Sequence, residues 1–93
     1  MKSIWKYAFT SEQVISFTMP RDAKILCVDE QDGDMCLWAE VEVDRKTEIR
    51  QFAVIGTGWD IHEDSYSGLT REYIGTVQQM SGALIWHIFE LVT

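Results

Sequence analysis

Proline and glycine are scarce in this sequence: 93 residues hold one Pro and six Gly. That excludes a collagen-like repeat, and with 46% hydrophobic and 25% charged residues a low-complexity or wholly disordered chain is excluded too. Long apolar runs are missing. No stretch approaches the roughly 18 residues of a membrane-spanning helix, and the opening MKSIWKYAFTSEQV has no apolar stretch of signal-peptide length. A soluble, cytosolic chain is expected, built as one domain over residues 1–93 with no linker, targeting segment or internal repeat.

Cationic side chains are also few. Eight Lys and Arg stand against fifteen Asp and Glu, for a formal charge of −7 and a pI near 4.6. A nucleic acid or an anionic membrane requires a cationic face, so direct binding to either is not expected. The excess of acid is local: residues 25–44 contain Asp29, Glu30, Asp32, Asp34, Glu40, Glu42 and Asp44 and no basic residue. A small anion needs only one or two positive groups or a few backbone N–H donors, so it stays compatible with this charge, as does a basic protein partner.

Only two cysteines occur, Cys27 and Cys36. With a two-residue turn at Asp32-Gly33, Asp29 faces Cys36 and Cys27 faces Trp38. The thiols are then diagonal neighbours with α-carbons roughly 7 Å apart, at or beyond disulfide reach. No CxxC or HxxxH pair is present to hold a metal. Free thiols, buried or half-buried, are expected, with no metal and no cofactor.

What is present is the grammar of β-structure. EQDGDM is an Asp-Gly reversal between two alternating runs, which predicts a hairpin whose core face carries Leu26, Val28, Leu37, Ala39 and Val41. Asp44 to Thr47 leads to a third strand, Glu48 to Ile55, continuing a meander. Ser81-Gly82 supplies a second reversal, between Glu72 to Met80 and Ala83 to Val92, with Val77 opposite Trp86, Ile74 opposite Phe89 and Thr76 opposite His87. Trp5, Tyr7 and Phe9 alternate in one early strand, Ile15, Phe17 and Met19 in another. The sum is an all-β, antiparallel meander of about seven strands, forming a small sandwich or partly open barrel.

The strings IWKYAF (4–9), MPRDAKIL (19–26), FAVIGTGWDI (52–61), YIGTVQ (73–78) and GALIWHIFE (82–90) resemble, in order and over nearly the whole chain, a family of small tailed-bacteriophage proteins of unknown function. The resemblance implies a phage origin and expression in the cytoplasm of an infected bacterial host. Gly56, Thr57, Gly58, His87 and Glu90 match the shared strings. The acids of Gln31 to Asp34 belong to no shared pattern.

The segment Gly56 to Thr70 interrupts the strand pattern, and a connection of that length is uncommon in a small domain unless it binds something or lacks order. Gly56-Thr57-Gly58 suits either a plain turn or a backbone nest for phosphate or carboxylate, though it lacks the Lys of a phosphate-binding loop. Trp59 and Tyr66 suit stacking on a planar ring or plugging the loop from beneath. Asp60, His62 and Asp64 alternate, as metal ligands or an acid–base pair do, but in a spacing shared with any solvated polar loop. His87, on a face with Ile85 and Phe89, is a ligand contact or a hydrogen-bonded interface residue. Asp29, Glu30, Asp32 and Asp34 can dock on a protein that normally grips DNA, or simply keep a sheet edge from pairing.

Four Trp, three Tyr and four Phe, with one hairpin apolar on both faces, exceed what one small core hides, which predicts a homo-oligomer. The functional expectation is a non-enzymatic phage accessory protein that binds and neutralises a host component. In one version a nucleotide-derived immune signal is sequestered by Gly56, Thr57, Gly58, Trp59, His62, Tyr66 and His87. In others the acidic hairpin docks on a host enzyme, or the chain is a structural component of the virion.

Overall fold

Asp32 and Gly33 take positive φ angles of 53° and 88°, the backbone of a primed two-residue turn in which the second position falls to glycine for want of a Cβ. Around this reversal the computed structural model, which describes residues 1–93, places seven strands: β1 (Lys2–Phe9), β2 (Val14–Pro20), β3 (Lys24–Gln31), β4 (Asp34–Glu42), β5 (Thr47–Gly56), β6 (Thr70–Gln79) and β7 (Leu84–Val92). They form two antiparallel sheets, ordered β1-β4-β3 and β2-β5-β7-β6. The sheets pack as a sandwich rather than closing into a barrel. No helix is long and apolar enough to cross a membrane.

Alternation on the inner faces builds the core. Met35, Leu37, Ala39 and Val41 of β4 meet Phe52 and Val54 of β5, Val77 of β6 and Trp86 and Ile88 of β7. Tyr7, Phe17 and Phe52 form an aromatic ladder, with ring centroids 5.2 and 5.8 Å apart, that joins β1 to the opposite sheet. At one end of this interior Arg50 donates two hydrogen bonds to the Glu90 carboxylate, at 2.7 and 2.8 Å, and another to the Ala23 carbonyl. The bonds to Glu90 raise the Arg50 pKa against the opposing effect of burial.

Three departures from the sequence expectation have local causes. The meander breaks after β4 because β1 and β3 already occupy both of its edges. The connection through Asp44, Arg45 and Lys46 therefore carries the chain into the other sheet. The expected register holds at the hairpin tip, where Asp29 faces Cys36, but a β-bulge at Leu26 resets it. Ile25 thereby turns to the core and Leu26 outward, the reverse of the expected pair. A second bulge, at Ile74, puts Tyr73 rather than Ile74 opposite Phe89, while Val77 still faces Trp86 and Thr76 faces His87. The two bulged strands lie over one another along one side of the sandwich. Both thiols are free; Cys36 is buried, whereas Cys27 is exposed rather than half-buried.

The long connection has a topological reason. β5 and β6 both pair antiparallel with β7, so they run in the same direction, and parallel strands cannot be joined by a tight turn. The chain leaves β5 at Gly56, opposite Trp86, and enters β6 at Thr70, opposite Val92, so residues 57–69 must return the length of the sheet across its outer face. A 3-10 turn at Glu63–Tyr66 lowers Tyr66 onto that face, where it is 2% exposed among Ala53, Leu91, Val14, Leu69 and Phe89. Arg71 fastens the turn by pairing with Glu63 at 2.7 Å while lying over the Phe89 ring.

Candidate functional site

The outward-facing positions where β5 ends beside β7 are Ile55 and Thr57 on one chain segment and Ile85 and His87 on the other. Gly56 has no side chain, and the Trp59 indole occupies the space where one would stand. Trp59 meets Trp86 edge to face, with centroids 5.2 Å apart and planes at 81°. Beside this pair opens a cleft of about 280 Å³ lined by Gly56, Thr57, Trp59, Ala83, Leu84, Ile85 and Trp86. Its walls are largely apolar, yet Trp59 is 46% exposed and Leu84 and Ile85 also reach solvent. Such a concave apolar surface suits a planar or aliphatic group.

A line of polar groups starts at Thr57 on the cleft wall and runs away from it across the outer face of the sheet. Thr57 Oγ1 lies 2.8 Å from His87 Nε2, His87 Nδ1 lies 3.3 Å from Thr76 Oγ1, and Thr76 Oγ1 lies 2.7 Å from the Tyr73 hydroxyl. Both ring nitrogens of His87 are thus engaged; a neutral imidazole donates from one and accepts at the other. Hydroxyls rotate freely, so Thr57 can accept from His87 and donate to a ligand, or the reverse.

The structure therefore gathers Gly56, Thr57, Trp59 and His87 at one place and separates the other expected residues from them. Two amides at the Gly56–Gly58 turn are taken up by backbone partners rather than left free for an anion. Thr57 N–H donates to the Ile85 carbonyl at 3.1 Å and Trp59 N–H to the Gly56 carbonyl at 3.0 Å. Gly58, with φ of 86°, serves the turn. Tyr66 is a buried plug and cannot stack on a ligand. His62 sits at the start of the 3-10 turn, where its carbonyl accepts from the Ser65 amide at 3.0 Å and the Ser65 hydroxyl at 2.6 Å. Asp60, His62 and Asp64 do not converge, and no three His, Cys, Asp or Glu side chains are grouped to hold a metal.

The acidic residues form a separate feature. Asp29, Glu30, Asp32 and Asp34 are all exposed at the β3–β4 tip, where Glu30 also accepts the Gly33 amide at 2.7 Å. The tip is fixed by Gln79 of β6, a residue that no sequence pattern singles out. Its amide nitrogen donates to the Gly33 carbonyl at 2.8 Å and its oxygen accepts from the Trp86 indole at 2.8 Å. Leu84 and Tyr73 carry no such signal either, and Thr76 and Ile85 enter the sequence pattern only as neighbours of His87. The available signal was the alternation Ile85, His87, Phe89, which aims one face of β7 outward beside the long connection.

No curated protein and no solved structure matches the chain. A family model does match, from residue 1 to residue 93, and the protein belongs to that family, a domain of unknown function (DUF7352).

Proposed function

We propose that this protein is a non-enzymatic bacteriophage accessory protein that acts as a homo-oligomer in the cytoplasm of the infected host and sequesters a small molecule bearing a planar ring. The observation that carries the reading is the cleft itself: two indoles set edge to face, exposed aliphatic side chains opposite, and a hydroxyl–imidazole pair on the rim. A ring resting on indole can turn its polar edge to Thr57, whose hydroxyl His87 braces from outside the cleft. A nucleotide-derived signal has this chemistry, and base stacking on an aromatic contributes about 1–3 kcal/mol. The phage setting is supported by the ordered strings from IWKYAF to GALIWHIFE.

Titration with cyclic and linear nucleotides, followed by tryptophan fluorescence and thermal unfolding, tests the proposal. A ligand at 100 times its Kd should stabilise the fold by about 2.7 kcal/mol. Trp59→Ala and Thr57→Val should abolish the shift while leaving the unliganded melting temperature near that of the parent. No shift with any nucleotide at millimolar concentration would remove the reading.

One observation favours a second reading. The acidic tip is held rigidly by Gln79 and by Glu30, so its carboxylates are presented without the entropy cost of ordering a loose loop. Docking on a basic surface of a host enzyme would use Asp29, Glu30, Asp32 and Asp34, and host pull-downs with all four neutralised should then lose the partner. Recovery of the chain in purified virions would instead favour a structural role.

A further inference from the structure

The chain of hydrogen bonds that ends at Thr57 begins at a phenol. The Tyr73 hydroxyl lies 2.7 Å from Thr76 Oγ1, Thr76 Oγ1 lies 3.3 Å from His87 Nδ1, and His87 Nε2 lies 2.8 Å from Thr57 Oγ1. Each hydroxyl in such a chain has a single proton, so the direction chosen at one end is passed to the other. A phenol oxygen shares its lone pairs with the ring, which makes it a better donor and a poorer acceptor than an alkyl hydroxyl. Tyr73 therefore donates to Thr76, and Thr76 donates to Nδ1. The neutral imidazole then carries its proton on Nε2 and donates it to Thr57. The Thr57 proton is left for the cleft.

The rest of the cleft wall agrees with that polarity. No charged side chain lines it. The Trp86 indole N–H is spent on Gln79, whereas that of Trp59, lying over Gly56, has no acceptor in the protein. The carbonyls of Gly56 and Ile85 already accept the amides of Trp59 and Thr57. What stays open is a pair of donors, one hydroxyl and one indole N–H. We infer that Tyr73, acting through Thr76 and His87, fixes Thr57 as a donor and so selects a planar ring that presents an acceptor edge. This rests on the cleft reading above and names its ligand class: an oxopurine, whose O6 and N7 both accept, in preference to an aminopurine, whose N6 donates. Tyr73 and His87 are positioning residues, since neither lines the cleft.

Nitrogen NMR of the imidazoles at pH 8, without ligand, reads the relay directly. His87 should be the Nε2–H tautomer in the parent and a mixture of both tautomers in Tyr73→Phe, while the His62 signals stay in place. Tyr73 is 59% exposed, so its loss of a hydroxyl leaves the sandwich folded. Inosine should bind the parent about ten-fold more tightly than adenosine, and Tyr73→Phe should narrow that ratio to about three-fold or less. An Nδ1–H imidazole in the parent would overturn the inference. So would adenosine bound as tightly as inosine, or a Tyr73→Phe protein in which the tautomer or the ratio is unchanged. Binding of neither nucleoside would remove the cleft reading and the ligand class together, whereas the Nδ1–H tautomer in a protein that binds both removes this inference alone.

Discussion

Trp59 lies against the α-carbon of Gly56, so closely that a Cβ at that position would come within 2.8 Å of the indole Cε2. The cleft therefore owes its shape to the absence of one methyl group. Gly56→Ala should swing the Trp59 ring outward and part it from Trp86 without unfolding the sandwich, since the displaced group is a side chain already half in solvent. The checks are the near-ultraviolet circular dichroism of the indole pair, which should weaken in Gly56→Ala and in Trp59→Phe alike, and a loss of stability of no more than about 1 kcal/mol.

Tyr66 is buried with no partner for its hydroxyl. Burial raises its pKa above the ordinary phenol value, with Arg71 opposing. An unsatisfied buried hydroxyl costs about 1–3 kcal/mol, so Tyr66→Phe should be neutral or stabilising by about 1 kcal/mol at pH 7, while Tyr66→Ala, which empties the space under the connection, should cost about 3 kcal/mol or more. The pH dependence has a definite sign. A raised folded-state pKa means that the unfolded chain loses its proton first, so this stability is complete below about pH 10 and falls as the pH rises toward the folded value. Tyr66→Phe should lose less stability than the parent in alkaline urea titrations.

Arg50 and Glu90 are only 17% and 15% exposed, and each would be left uncompensated by removal of the other. Breaking a buried pair costs about 3–5 kcal/mol, and the residual exposure places Glu90→Ala near the lower end of that range. Arg50→Met with Glu90→Leu should cost less than either single change, because no charge is then stranded. Chemical denaturation of the three variants gives the comparison directly.

Gln79 joins three elements through one side chain. Gln79→Leu should lose about 1–2 kcal/mol, from an unpaired Gly33 carbonyl and an unpaired Trp86 indole N–H. Its particular mark should be faster amide exchange at the β3–β4 tip with little change in the β5–β7 ladder.

Much of the fold was legible wherever a short-range rule decides it. Asp32-Gly33 specified a turn, the turn specified that Asp29 faces Cys36, and alternation then assigned Leu37, Ala39 and Val41 to the core. Leu26 and Ile74 were misassigned because a bulge is an event between two strands, with no mark in either. The sheet change after β4 was illegible for a similar reason: β5 is diverted by the prior occupation of β4 by β1, a contact between residues more than thirty positions apart, such as Lys2 and Glu42. In the candidate site, Trp59 and His87 stood out as residue types, but Thr57 becomes more than a loop residue only once β7 brings His87 beside it. Tyr66 and Trp59, alike in composition terms, part ways because one falls over the middle of the sheet and the other at its end.

The place of β7 between β5 and β6 bears on synthesis as well as on architecture. A ribosome releases the flanking strands first; β5 can pair with β2, but its other margin and the whole of β6 have no partner until Leu84–Val92 has emerged to fill the gap. Through that interval the nascent chain displays two bare strand margins and the unroofed valines and isoleucines behind them, which makes it a substrate for chaperones and a hazard when translation stalls.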